Sequence, residues 1–92
     1  MTAGGGSDPS DALTLNEALA WIADLLVEPA PNVRPGTLRT DLRGWDSLGQ
    51  LVLMSALDQR FGIKLTQDEL TSLAAVQDIL EVLRRHGRLD PA

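Results

Sequence analysis

The stretch of this chain whose residue types and spacing offer chemistry is Gly44-Trp45-Asp46-Ser47-Leu48, a hydroxyl beside a carboxylate at the head of a helical pattern. At the amino end of a helix, unpaired backbone N–H groups and the dipole favour an attached phosphate, so a phosphoester on Ser47 is physically well placed. Asp46 opposes a phosphate by its charge and suits a second role, capping the helix. Taken plainly, both are helix-start residues. Other chemistry is poorly provided for. His86 is the single histidine and falls in a charged terminal turn, and nothing pairs a nucleophile with a base, so no enzyme is expected. Without cysteine there is no disulfide framework or thiolate zinc site, and no metal is expected. Any thiol chemistry must be imported.

The elements that must position Ser47 follow from apolar spacing. Leu15, Ala18, Leu19, Ile22, Leu25 and Leu26 recur at three- and four-residue steps, predicting a first helix over about 14–27. Thr14 and Glu17 fit a capping box at its start, and Pro29 stops it. Residues 28–46 make a long connection carrying Pro29, Pro31, Pro35 and Gly36, with Val33, Leu38, Leu42 and Trp45 as anchors into the core. A connection this long in a small domain is read as functional. A second helix should run over about 47–60 and stop at Gly62. Thr66 and Glu69 open a short helix over about 67–72. A last helix over about 75–86 buries Val76, Ile79, Leu80 and Leu83, with Arg84, Arg85 and His86 against its negative end and Gly87 as terminator. The fold class is therefore all-α, a small four-helix bundle. Residues 1–11, rich in glycine, read as a flexible tail, residues 12–88 as the domain and 89–92 as a C-terminal tail.

The second helix has two apolar faces. Leu53, Met54, Leu57 and Phe61 share one arc, wide enough to be the core face. Leu48, Leu51, Val52 and Ser55 form a second arc confined to its first two turns. That patch is either covered by the 28–46 connection or open as a docking surface, and the pattern alone does not choose.

Composition narrows the partners. Leucine-rich apolar content with few aromatics favours packed helices. A formal charge of −5 disfavours nucleic acid, whose backbone is met by clustered Lys and Arg, and instead suits basic patches on other proteins. No stretch approaches membrane-spanning length, and the start lacks the basic flank and apolar run of a secretory signal, so a monomer in the cytoplasm is expected.

The segment Gly44-Trp45-Asp46-Ser47-Leu48-Gly49-Gln50-Leu51, followed by Phe61-Gly62-Ile63, resembles the attachment segment of acyl carrier proteins. The likeness continues through Asp41-Leu42, Asp68-Glu69-Leu70 and Ala75-Val76-Gln77-Asp78-Ile79, and covers about residues 12–86. It implies that Ser47 receives 4′-phosphopantetheine from coenzyme A through a phosphopantetheinyl transferase. The arm's thiol would hold acyl groups as thioesters, loaded by an acyl-activating enzyme or acyltransferase and passed to a downstream synthase or tailoring enzymes. By the same resemblance Asp46 belongs to the attachment motif, and Leu48, Leu51, Val52 and Trp45 would meet partners. Leu53, Met54, Leu57, Leu70, Leu73, Ile79 and Leu83 would line an interior where some relatives shelter cargo; ordinary core is an equal reading of them.

The chain also departs from the pattern. Fatty-acid carriers are rich in carboxylates along the second helix, whereas here Gly49, Val52 and Gln59 occupy that surface and Asp58 is the sole carboxylate beyond Asp46. Docking should then lean on apolar contact, and Trp45 resembles discrete carriers of polyketide and other specialised pathways. Two alternatives stand beside this reading. A peptidyl carrier would hold aminoacyl groups, though its motif usually differs ahead of the serine. A helical adaptor would use the same patch and carry no arm.

Overall fold

The computed structural model describes residues 12–90; the rest of the expected tails, residues 1–11 and 91–92, lies outside them. Four α-helices make up the described chain: α1 Leu15–Leu26, α2 Ser47–Phe61, α3 Gln67–Thr71 and α4 Val76–Arg85. The all-α bundle expected from the periodicity is what forms. No helix among the described residues is long and apolar enough to cross a membrane.

Local chemistry fixes each end. Thr14 caps α1 by accepting from the Glu17 N–H at 3.1 Å, while Glu17 accepts from the Thr14 N–H at 2.9 Å. Thr66 and Glu69 repeat this box at α3, at 3.1 and 2.8 Å. The Thr66 backbone N–H, and secondly its hydroxyl, hold the Glu69 carboxyl below the usual carboxylate range. Because the folded pKa is lowered, this cap supports the fold at neutral pH and is lost only as pH falls through that lowered value. Asp78 accepts from the Ala74 and Ala75 N–H groups at 2.8 and 3.0 Å and so caps α4, which starts at Val76. Gly62 closes α2 in the left-handed region at φ 69°. α1 ends one residue before Val27, which turns left-handed at φ 55°, a conformation that costs a β-branched residue about 1–2 kcal/mol relative to glycine.

The long connection is structured, with 3₁₀ turns at Ala30–Asn32 and Arg39–Asp41. Its backbone is hydrogen-bonded to the junction between α3 and α4. Arg39 N–H donates to the Ala74 carbonyl at 2.8 Å, Val76 N–H to Thr37 at 2.8 Å and Gln77 N–H to Pro35 at 2.9 Å. Satisfying these groups is what lets so long a connection lie against the bundle. Val33, Leu42 and Trp45 bury as expected. Leu38 does not: its side chain is half exposed, and it anchors the loop through its backbone bridge to Ala75. The chain end also differs from expectation. Leu89, placed in a tail by its sequence position, packs against the core; Leu13 donates to Arg88 at 2.9 Å and Asp90 to Leu13 at 2.7 Å.

The core runs through all four helices. Leu53 and Leu57 of α2 meet Ile22 and Leu26 of α1 and Ile79 and Leu83 of α4 in one cluster, all essentially without exposure. Phe61 closes one end edge-on to Trp21, ring centroids 5.3 Å apart. Truncating Leu57 leaves a hole at the centre of this cluster. We expect Leu57→Ala to lower unfolding free energy by about 2–5 kcal/mol in denaturant titrations, with the native helical signal retained below the transition.

Candidate functional site

Ser47 is the first residue of α2. Asp46 ahead of it is extended and serves as N-cap, its Oδ1 accepting from the Gly49 N–H at 2.9 Å. The first helical bond is made by the Gln50 N–H to the Asp46 carbonyl at 2.9 Å, so the amides of Ser47 and Leu48 precede the helical ladder. The Ser47 side chain is exposed, and its hydroxyl makes no hydrogen bond to any described residue. An oxygen of this kind, next to open amides at the positive end of a 15-residue helix, suits a phosphoester. The Asp46 charge, the argument against, is turned to the Gly49 amide as a cap.

What holds the helix start in this attitude is a pair of glycines. A Cβ on Gly44 would lie 1.7 Å from the Leu26 carbonyl oxygen, and one on Gly49 would lie 2.1 Å from the Gly44 carbonyl oxygen. The loop therefore rests directly on the carboxyl end of α1, and the first turn of α2 rests on the loop. The Gly44 N–H adds a hydrogen bond to Glu28 Oε2 at 2.8 Å. Neither backbone approach tolerates a side chain.

A polar bridge completes the support. Trp45 Nε1 donates to Gln50 Oε1 at 2.5 Å, and Gln50 Nε2 donates to the Leu70 carbonyl at 2.6 Å. The indole can only donate and the carbonyl only accept, so the two partners fix which way the amide faces. One side chain thereby joins the loop, α2 and α3. Gln50 is the buried polar side chain of the described core, at 7% exposure. The sequence reading passed over it, although the signal was present: Gln50 stands seven residues before Leu57, on the same helical face.

Trp45, expected as an anchor into the core and, by the resemblance, as a partner contact, is 2% exposed with its N–H committed to Gln50. The core anchor is what forms, and the partner contact is corrected: its side chain is inside. Leu53, Leu57, Leu70, Leu73, Ile79 and Leu83 are buried, while Met54 is only partly so and borders a groove beside Ser47. Leu48, Leu51 and Val52 are open to solvent at 69%, 53% and 38% exposure. The connection thus does not cover this patch, because its own hydrogen bonds tie it to the α3–α4 junction. Val27 at the end of α1 shares a groove with Leu48 and Val52, which extends the apolar surface across both helices. The same groove is also lined by Glu28, Arg43 and Asp46, while along α2 itself Asp58 pairs with Lys64 at 3.4 Å.

Comparison with known proteins accords with this geometry. An acyl carrier protein of Thermosynechococcus vestitus is 34% identical over 70 residues, covering 75% of this chain and 85% of that protein. The chain belongs to the acyl carrier protein family. A second member, from Acidothermus cellulolyticus, is 29% identical over 76 residues, covering 78% of this chain and 90% of its own. No family model and no solved structure matches.

In this acyl carrier protein family member, the glycine contacts lend themselves to a direct check. Gly49→Ala forces a Cβ against the Gly44 carbonyl, a backbone atom that cannot swing aside. We expect a loss of about 1–3 kcal/mol of stability, together with shifted amide resonances at residues 44–50. Unchanged stability and unchanged resonances would contradict the packing described.

Proposed function

We propose that this chain carries acyl groups as thioesters on a 4′-phosphopantetheine arm bonded to Ser47, and presents them to partner enzymes of polyketide or related specialised biosynthesis. The observation that carries the reading is the unengaged, exposed Ser47 hydroxyl at the head of α2. The arm supplies the thiol that a cysteine-free chain lacks. In the attachment step the Ser47 oxygen forms a P–O bond as the phosphoanhydride of coenzyme A breaks. Adenosine 3′,5′-bisphosphate leaves, and the hydroxyl proton passes to a base of the transferase. Asp46 and the open amides of Ser47 and Leu48 set where that oxygen stands and do not themselves react.

The surface of α2 supports the specialised setting. The exposed face of α2 offers Leu48, Leu51 and Val52 where a strongly acidic surface would need carboxylates. Partners should therefore be held mainly by apolar contact, with a transferase and acyl-handling enzymes presenting apolar surface in return. Buried Trp45 contributes through the attitude of Ser47 and not by contact.

The test is to incubate the protein with coenzyme A, magnesium and a broad-specificity phosphopantetheinyl transferase, and to weigh it beside Ser47→Ala. The wild type should gain one phosphopantetheinyl mass and the variant none. An unmodified wild type would favour an adaptor that never carries an arm. Aminoacyl loading in preference to acyl loading of the modified protein would move the cargo to the peptidyl class.

The patch has its own test. Leu51→Asp changes an exposed position and should leave stability within about 0.5 kcal/mol. The kcat/KM of partner-dependent modification or loading should fall by about tenfold or more, as for loss of an apolar anchor. Loss of helical signal in that variant would place Leu51 in the core.

A further inference from the structure

Beside Ser47 a groove of about 310 Å³ runs between α2 and α3. Its most deeply buried lining residues are Gln50 and Leu70, which make its floor. Arg39, Gln67 and Thr71 contribute polar atoms along it, and Leu51 and Met54 an apolar wall. Leu70 belongs to the same apolar cluster as Leu53, Leu57 and Ile79, so the groove borders the core there. Gln50 stands at that border, held by the Trp45 indole on one side and the Leu70 carbonyl on the other.

We propose that Gln50, held by Trp45, is a latch that closes the helical core to cargo at Ser47, so that this carrier presents short, oxygen-bearing acyl chains along the surface groove and excludes saturated alkyl chains from its interior. The cargo class rests on the reading of Ser47 as the attachment point. A hydrocarbon moving inward between α2 and α3 must displace the Gln50 amide. The Leu70 carbonyl would keep the Leu73 N–H, which donates to it at 3.3 Å. The Trp45 indole N–H, however, would lose its one acceptor in a site from which water is excluded, and a hydrocarbon cannot replace it. A chain bearing ketone or hydroxyl oxygens has no such reason to go inside, because the Arg39, Gln67 and Thr71 side of the groove offers it polar neighbours. The latch also ties the loop and α3 to α2, so opening it disturbs three elements together.

The chain contains no cysteine, so Ser47→Cys provides a single thiol to which cargo can be fixed whether or not a transferase accepts Ser47. An octyl methanethiosulfonate attaches octyl there as a mixed disulfide and releases methanesulfinate; a reagent with a 3-oxobutyl group gives the oxygenated counterpart. Methyl resonances of Leu57 and Ile79 and the melting temperature report entry into the core. With the latch intact, both labels should leave these resonances and the melting temperature where the unlabelled variant has them. Adding Gln50→Ala, and separately Trp45→Phe, which keeps the ring and removes the donor, should let the octyl label shift the core methyl signals and raise the melting temperature, while the oxygenated label still does not. Circular dichroism of the unlabelled double variants checks folding, and either one suffices for the comparison. Octyl-induced core shifts with Gln50 and Trp45 in place overturn the latch, as does their absence in both opened variants. Failure of the transferase to modify wild-type Ser47 removes the cargo class alone, since the thiol label reads the latch independently.

Discussion

The placement of Ser47 depends on a contact between two pieces of backbone, the carbonyl of Leu26 at the end of α1 and the chain at Gly44. With no Cβ in the way, the loop sits on that carbonyl, and Gly49 lets the first turn of α2 sit on the loop in turn. The direction of α2 is set at its start by these approaches, before its hydrophobic face engages Leu26, Ile22 and Ile79. Asp46 then caps the helix, and the residue after it is left at the surface with an unshared hydroxyl. An exposed hydroxyl is thus built on rigid support, as the proposed attachment of an arm at Ser47 requires.

The same support includes a polar group in an apolar interior. A buried hydrogen-bonded amide gains little net stability over an apolar residue of equal shape, but leaving any of its groups unpartnered is expensive. Its effect is therefore specificity: Gln50 permits one arrangement of loop, α2 and α3 and disfavours those in which they slide or part. The exposed apolar patch is the complementary feature. Leu48, Leu51 and Val52 stay in water because the loop that could have covered them is hydrogen-bonded elsewhere. Left-handed Val27, 88% exposed beside that patch, is a residue for which local backbone preference offers no reason.

How far the sequence reveals this depends on the range of the interaction. Helix ends were legible because caps act over three residues: Thr14 with Glu17, Thr66 with Glu69, and Asp46 with Gly49 can each be read locally. The core face of α2 was legible because periodicity records burial. Leu38 was misread because hydrophobicity reports a side chain's preference, whereas its structural role lies in a backbone bridge to a residue far along the chain. The burial of Trp45 is legible as an apolar anchor in the loop, whereas its exclusion from partner contact follows from the tertiary pairing with Gln50. Gln50 itself was missed since a polar residue on an apolar arc reads as an interruption until its two partners, one in the loop and one on α3, are known. The close contacts at Gly44 and Gly49 leave no local signature beyond the glycines themselves.

Together these elements describe a member of the acyl carrier protein family in which the loop before α2 acts as the mount for a single oxygen. The most direct measurement of that claim is fragmentation mass spectrometry on the chain produced together with a phosphopantetheinyl transferase. The account predicts one phosphodiester-linked group, located on Ser47 in every modified molecule. A group found on Ser55 or Ser72 instead, or a chain that stays unmodified though the transferase loads a control carrier, would contradict it.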